Sequence, residues 1–372
     1  MPRRIVCLWL LLAATSLSAA QNGAPLPSTK DPNDDRAWPS PAALEAARLA
    51  AEQRPLFASN EPLAFSLTAD FGQVQGDRDP NGEKTYPATI VVAQGTPGEQ
   101  SIPVRIRTRG HTRLRRDFCT FAPLRVVFPV NPVGTVFEGQ KSLKLGVHCR
   151  DASDYPEYTL REYPVYRMFN LLTTNSFRAR LADVRYVDSK NGRAFVRGGL
   201  FIEDADDVAR RMGGRVSDST GTNEGQLDFG MTTLTTMFEY LVGNTDVSIR
   251  SLHNIRVVLK PDGSRYPVPY DFDFAGVVDA PYALPNPMLA TSSVRERLYL
   301  GPCLTPAVLN LYLSRFRAAR EALLAVYDSV PMLKPKSRAD ARSYLEGFYR
   351  RTETPGGMKR AFIDGCGTRP YM

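Results

Sequence analysis

The residues best suited to chemistry lie between 243 and 273. Gly243-Asn244-Thr245-Asp246 is followed by His253-Asn254 and then by Pro269-Tyr270-Asp271-Phe272-Asp273. Two acidic clusters and a carboxamide therefore stand about one hairpin apart. That donor set suits a divalent cation and phosphate oxygens, with a further carboxylate to orient a nucleophile. Asp246 follows a predicted helix that ends at Gly243, so it sits on a loop where its carboxylate can take a hydroxyl proton. Asn254 belongs to the start of a strand and offers an amide oxygen to a metal. Asp271 and Asp273 point to one side of an extended segment and so face one cation. Taken singly, Asn-x-Asp after a helix or Asp-x-Asp at a strand end reads as turn chemistry. The combination, in this order, favours a phosphate- and metal-binding site.

These side chains need a scaffold, and the periodicity supplies one. Short alternating runs predict strands over 63–68, 86–92, 101–108, 123–128 and 141–147, with an Asp-Pro-Asn-Gly turn before the second. A helix is expected over 158–172, interrupted or delayed by Pro164. The Asn191-Gly192 pair closes a hairpin of 181–188 with 193–202. Helices follow at 206–212, 232–242, 305–330 and 337–351, and two strands at 253–259 and 266–270 flank Pro261-Asp262-Gly263. Strands first and helices later predict an α+β fold with two lobes and a cleft between them. The expected divisions are a leader with a short helix over 21–60, a strand-rich N-lobe over 61–205 and a helix-rich C-lobe over 206–372. Gln21 to about Pro41 reads as flexible, and Ser40 caps a helix from Pro41.

Other charged groups carry weaker signals. Arg105, Arg107 and Arg109 share one strand face, which either binds phosphate or lies in solvent with salt-bridge partners. His111, His148 and His253 are scattered and suit packing or hydrogen bonding. The Gly-rich stretch 213–225 is a loop near the cleft that lacks the strand–Gly–Lys–helix order of a phosphate loop.

Several pieces resemble one family in the same order. They are Arg107-Thr108-Arg109-Gly110-His111, Leu160-Arg161-Glu162, Gly198-Gly199-Leu200-Phe201 with Glu203, Tyr240 to Asp246, and Pro269 to Asp273. Together, over about 62–330, they look like spore-coat-protein-H-like (CotH-like) proteins, a family of atypical protein kinases with a two-lobed kinase-like fold. The resemblance implies Asp246 as the catalytic-loop base, Asn254 and Asp271 as metal ligands, and Asp273 as support for a second metal position. It implies a strand Lys that holds nucleotide phosphates and pairs with a helix Glu, here Glu162. The family's Lys-rich strand corresponds to Phe121-Ala122-Pro123-Leu124-Arg125, which has no Lys. Arg125, Lys141 and Lys144 are the substitutes, and Lys144 is favoured because Leu143 and Leu145 face the other way. The implied cofactors are ATP with Mg²⁺ or Mn²⁺.

The remaining features bound the setting. Met1-Pro2-Arg3-Arg4, an apolar run to Leu17 and Ser18-Ala19-Ala20 form an expected signal peptide over 1–20, so the protein is expected to be periplasmic or secreted. No later segment reads as a transmembrane span. Of five cysteines, Cys7 lies in the apolar run. The other four suit disulfides, with Cys119–Cys149 and Cys303–Cys366 the simplest pairing. A net charge of +8 without a basic–aromatic tract argues against nucleic acid and for acidic or phosphate-bearing partners. The expected activity is metal-dependent phosphoryl transfer from a nucleotide to Ser or Thr of a protein. The alternative is a non-catalytic extracellular binding or structural protein, and a metal-dependent phosphoesterase is a third possibility.

Overall fold

The computed structural model describes residues 29–151, 155–222, 224–364 and 366. The expected signal peptide lies outside the described residues. The leader expected to be flexible is, in its described part, pinned to the protein. Thr220 donates its backbone N–H to the carbonyl of Thr29 at 2.9 Å. The Asp34 carboxylate accepts from Ser217 Oγ at 3.0 Å, Ser219 Oγ at 2.8 Å and Arg265 Nη2 at 2.8 Å. A buried carboxylate with that many donors is tied down, and low local hydrophobicity gave no sign of it. The chain then enters α1 (Pro41–Glu52), with Ser40 accepting from the Ala43 N–H at 3.3 Å as the cap.

Seven strands follow: β1 (Leu63–Ala69), β2 (Tyr86–Val92), β3 (Gln100–Thr108), β4 (Leu124–Val127), β5 (Ser142–Gly146), β6 (Ala179–Asp188) and β7 (Ala194–Ile202). A short helix, α2 (Phe71–Gly76), follows β1, and α3 (Tyr155–Leu172) joins β5 to β6. The strands close in the order β1-β2-β3-β4-β5-β7-β6. All neighbours are antiparallel except β1 and β6, which run parallel with Leu63 opposite Ala182 through Ala69 opposite Asp188. This overturns the two-lobed kinase-like α+β expectation. The chain forms a closed, mixed seven-stranded barrel, with a separate small sheet and nine helices among the described residues. Local alternation identified the strands, but the seam joins segments far apart in sequence, and no period of two reports such a pairing.

The barrel is filled. Leu67, Ile90, Ile106, Leu124, Val126, Leu145, Val184 and Phe201 are its inward residues. Each such side chain contributes about 1.5–3 kcal/mol by leaving water. The alternate residues of β3, β4 and β5 point outward.

Past the barrel come α4 (Ala205–Arg211), β8 (Arg215–Ser217), α5 (Phe229–Val242), β9 (Ile255–Leu259) and β10 (Arg265–Pro269). The three strands make an antiparallel sheet in the order β10-β9-β8. Then follow α6 (Pro306–Ala318), α7 (Arg320–Ala325), α8 (Pro335–Thr352) and α9 (Pro355–Met358). The expected helix 305–330 is thus two helices and a 3₁₀ turn. Helix α3 runs through Pro164 without a break and buries Tyr166 and Phe169 against Phe272 and Phe238 of the helical body. Cys119 and Cys149 form one disulfide and Cys303 and Cys366 another, the simplest pairing. Among the described residues no helix is long and apolar enough to cross a membrane.

Candidate functional site

A cleft of about 510 Å³ lies between the outer face of β3–β5 and the segments around β9 and β10. One wall is cationic. Arg107 of β3 is in register with Arg125 of β4, and Arg125 with Lys144 of β5. Three positive side chains therefore stand side by side across three strands, an arrangement that destabilises a sheet unless an anion offsets it. Arg109 adds to this wall, and Arg256 of β9 brings a further positive charge from across the cleft. Arg125 Nη1 donates to Ser142 Oγ at 2.9 Å, while its buried Nε has no partner. Lys144 lies over the Tyr270 ring at 4.0 Å. Burial and then the neighbouring Arg109 hold its ammonium well below the usual lysine range, against the pull of Asp271. Its side chain keeps some solvent contact, which moderates the effect. The expected Arg row divides. Arg107 and Arg109 line the cleft, whereas Arg105 turns aside to Thr85, with Nε 2.6 Å from its Oγ1. Lys141 is exposed and does not line the cleft.

The opposite side is acidic. Helix α5 ends at Gly243 with φ 70°, where an added Cβ would meet Tyr344 Oη at 1.8 Å, so only glycine fits. That turn delivers Asp246 to the cleft. His253 Nε2 lies 2.9 Å from Asp246 Oδ1, and the Asn254 amide donates to Asp246 Oδ2 at 3.1 Å and to its carbonyl at 2.8 Å. Asn254 Oδ1 is left as an acceptor. Asp246 and then burial act on His253 in opposite senses, with a net upward shift.

Asp271 and Asp273 reach the same cleft, but not along an extended strand. Asp271 is left-handed, with φ 63°, and the chain turns at once after β10. The period-of-two argument therefore fails for this pair. The turn is held instead by the Asp271 N–H, which donates to Tyr166 Oη at 2.9 Å, and by the Tyr166 hydroxyl, which donates to Glu162 Oε1 at 3.3 Å. Asn254 at φ 53° and Leu252 at φ 55° are also left-handed cleft residues. Such backbone strain gathers at functional sites.

Arg113 was not singled out from the sequence, and it lies between the acids. Its Nη2 is 3.4 Å from Asp271 Oδ1 and its Nε 3.4 Å from Asp273 Oδ2. The Arg107–His111 motif stops two residues short of it. Glu162 is buried close to this group, and among the ion pairs of the described residues none joins it to Lys144. Burial, then Asp273 and Asp271, push its carboxyl up; burial and Asp271 push Asp273 up too, despite Arg113. Burial raises Asp271, but Arg113, Arg109 and Lys144 outweigh it and hold the carboxylate low. Tyr282, which hydrogen-bonds Asp273, was likewise missed. Glu203 of the Gly198–Phe201 motif does not line the cleft and is buried in ion pairs with Arg178 at 2.7 Å and Arg211 at 2.8 Å.

Comparison with protein families and with curated proteins finds no match to this chain.

The site can be tested for a cation on its own chemistry. Among the described residues no group of three or more His, Cys, Asp or Glu is gathered as a metal cage. Asp271, Asp273 and the Asn254 amide offer oxygen donors only, and a magnesium-type ion needs one or two carboxylates with phosphate oxygens completing its shell. The upward shifts of Asp273 and Glu162 mark a surplus of buried acid that added positive charge would relieve. The oxygen donors are of the kind a hard divalent cation takes, although Arg113 already lies against two of them.

Proposed function

We propose that the cleft binds a nucleotide polyphosphate with Mg²⁺ or Mn²⁺ and transfers a phosphoryl group to a hydroxyl of a protein. The observation that carries this reading is the in-register row Arg107–Arg125–Lys144 facing Asp246, Asn254 and Asp271 across one cleft. The order of motifs shared with CotH-like kinases supports it. Arg107, Arg125 and Lys144 hold the phosphates by charge-assisted hydrogen bonds. Asn254, Asp271 and Asp273 hold the cation, which screens the phosphate charge when bound. Asp246, oriented by His253 and Asn254, takes the proton of the acceptor hydroxyl. The hydroxyl oxygen bonds to the terminal phosphorus, and the bond to the bridging oxygen breaks toward the nucleoside diphosphate. Two disulfides favour an oxidising compartment, and export is part of the proposal.

A second reading has its own support. Arg113 already pairs with both Asp271 and Asp273, and among the described residues no ion pair joins Lys144 to Glu162. A protein of this kind binds the ligand without turning it over. Thermal melting of the purified protein with ATP and Mg²⁺ or Mn²⁺ separates the readings. Binding raises the melting temperature, because the ligand stabilises only the folded state, and Asp271→Ala removes the rise. Labelled phosphate then appears in an acceptor protein for the enzyme and nowhere for the binder. No rise with any nucleotide and metal sinks both.

A further inference from the structure

A second cationic pocket lies far along the chain from the cleft residues, in the helical body. It has a volume of about 790 Å³, and Arg295, Arg297, Arg350, Arg351 and Arg360 line it together with Tyr344. The guanidiniums come from the stretch before α6, from the last turn of α8 and from the turn after α9, so the fold and not one helix gathers them. Arg297 is built in. Its guanidinium stacks on the Tyr344 ring at 3.7 Å, its Nε and Nη2 each donate to the Leu241 carbonyl at 3.2 Å, and Nη2 also reaches the Tyr344 carbonyl at 2.6 Å. All of these acceptors are carbonyls, so no carboxylate cancels its charge. Its Nη1 makes no hydrogen bond among the described residues and lies 3.5 Å from where a Cβ of residue 347 would stand. Arg350 Nη2 lies 3.7 Å from the same spot. Gly347 leaves that spot bare inside a helix, where glycine is otherwise unfavourable.

The charges around the pocket do not balance. Arg295 is matched by Asp279 at 2.8 Å and Asp340 at 3.1 Å, and Arg350 only loosely by Glu346 at 3.8 Å. Among the described residues, Arg297, Arg351 and Arg360 have no carboxylate partner. Guanidinium groups from separate elements lining one open pocket match the planar, multidentate demands of a tetrahedral oxyanion.

We propose that this pocket is a second anion site that takes a small ligand bearing clustered phosphate groups, independent of the cleft. Isothermal titration with inorganic pyrophosphate tests it. To isolate the pocket, the background variant carries Arg125→Met and Lys144→Met, which disable the cleft wall. That variant still binds one pyrophosphate per chain. Adding Arg351→Gln and Arg360→Gln lowers the affinity at least about tenfold, since each lost charge-assisted contact weakens binding severalfold. Circular dichroism and melting check that these exposed substitutions leave the fold intact. Citrate in a parallel titration distinguishes a phosphate site from a general polyanion site: equal affinity for citrate overturns the phosphate assignment. Unchanged pyrophosphate affinity after Arg351→Gln and Arg360→Gln overturns the site, as does absence of binding in the background variant.

Discussion

Two side chains set the electrostatics of the cleft, and each makes a prediction. Lys144 stands in register with Arg125 and beside Arg109 and Arg256, so its ammonium meets a repulsion that the pull of Asp271 offsets only in part. Lys144→Met removes one member of that cluster while keeping the stem's packing on Tyr270. The variant should be more stable by about 1 kcal/mol without ligand. It should also lose the rise in melting temperature given by nucleotide and metal, so denaturant titration with and without ligand reads both effects. Arg113 is the converse case. Arg113→Ala leaves Asp271, Asp273 and Glu162 together without their cation. The expected cost is about 3 kcal/mol at neutral pH, measured by urea unfolding, and Mg²⁺ should recover part of it. A variant as stable as the wild type would show that Arg113 does not neutralise the acids.

At the scale of elements, the barrel contains a titratable group that its packing keeps neutral. His148 follows β5, stacks on Phe121 at 4.8 Å between ring centroids and has a side chain 1% exposed. Burial pushes its imidazole down from 6.5 to about 4, against the weak pull of Asp151. The unfolded chain therefore binds a proton on this group between those values and the folded chain does not. Stability is full above the unfolded value and falls as pH drops from 6.5 toward about 4. The loss reaches about 3 kcal/mol once both values are passed. His148→Phe should flatten that part of the stability–pH curve. Equal slopes for wild type and variant, from urea midpoints across the range, would refute the buried neutral histidine. The docked leader works at the same scale: Asp34 fastens Ser217 of β8 and the side chain of Arg265, which opens β10, so residues outside the barrel brace the sheet that carries the acidic side of the cleft.

At the scale of the molecule, the cleft depends on parts that are distant in sequence. The disulfide Cys119–Cys149 closes a loop of separation 30 and fastens the segment that carries Arg113 to the strand that carries Lys144. Replacing both cysteines by serine should cost about 3 kcal/mol. Amide exchange should quicken over residues 109–121, and mass spectrometry resolves this directly. Protection equal to the wild type would mean that the Phe121 N–H, which donates to the Cys149 carbonyl at 2.9 Å, and Arg78, which donates to the carbonyls of Leu114, Cys119 and Thr120, hold the segment without the disulfide.

The sequence by itself determined what a short window can carry. It gave the strands and most helices, because apolar alternation and helical spacing are local, and the Asp246, Asn254, Asp271 and Asp273 set, because these residues sit on one short stretch joined by a hairpin. An even cysteine count in a chain expected to be exported pointed to disulfides, but three pairings stood open and the fold chose among them. Tertiary structure decided the rest. The barrel exists because β1 pairs with β6 across more than a hundred residues, which no periodicity encodes and which replaced the expected two-lobed arrangement. The left-handed turn at Asp271 depends on a hydroxyl from α3, so the strand rule could not foresee it. Arg113 meets the acids only after β3, the disulfide loop and the turn past β10 come together. Register across three strands turned scattered Arg and Lys residues into one cationic wall, since charge adjacency is a property of pairing and not of the chain.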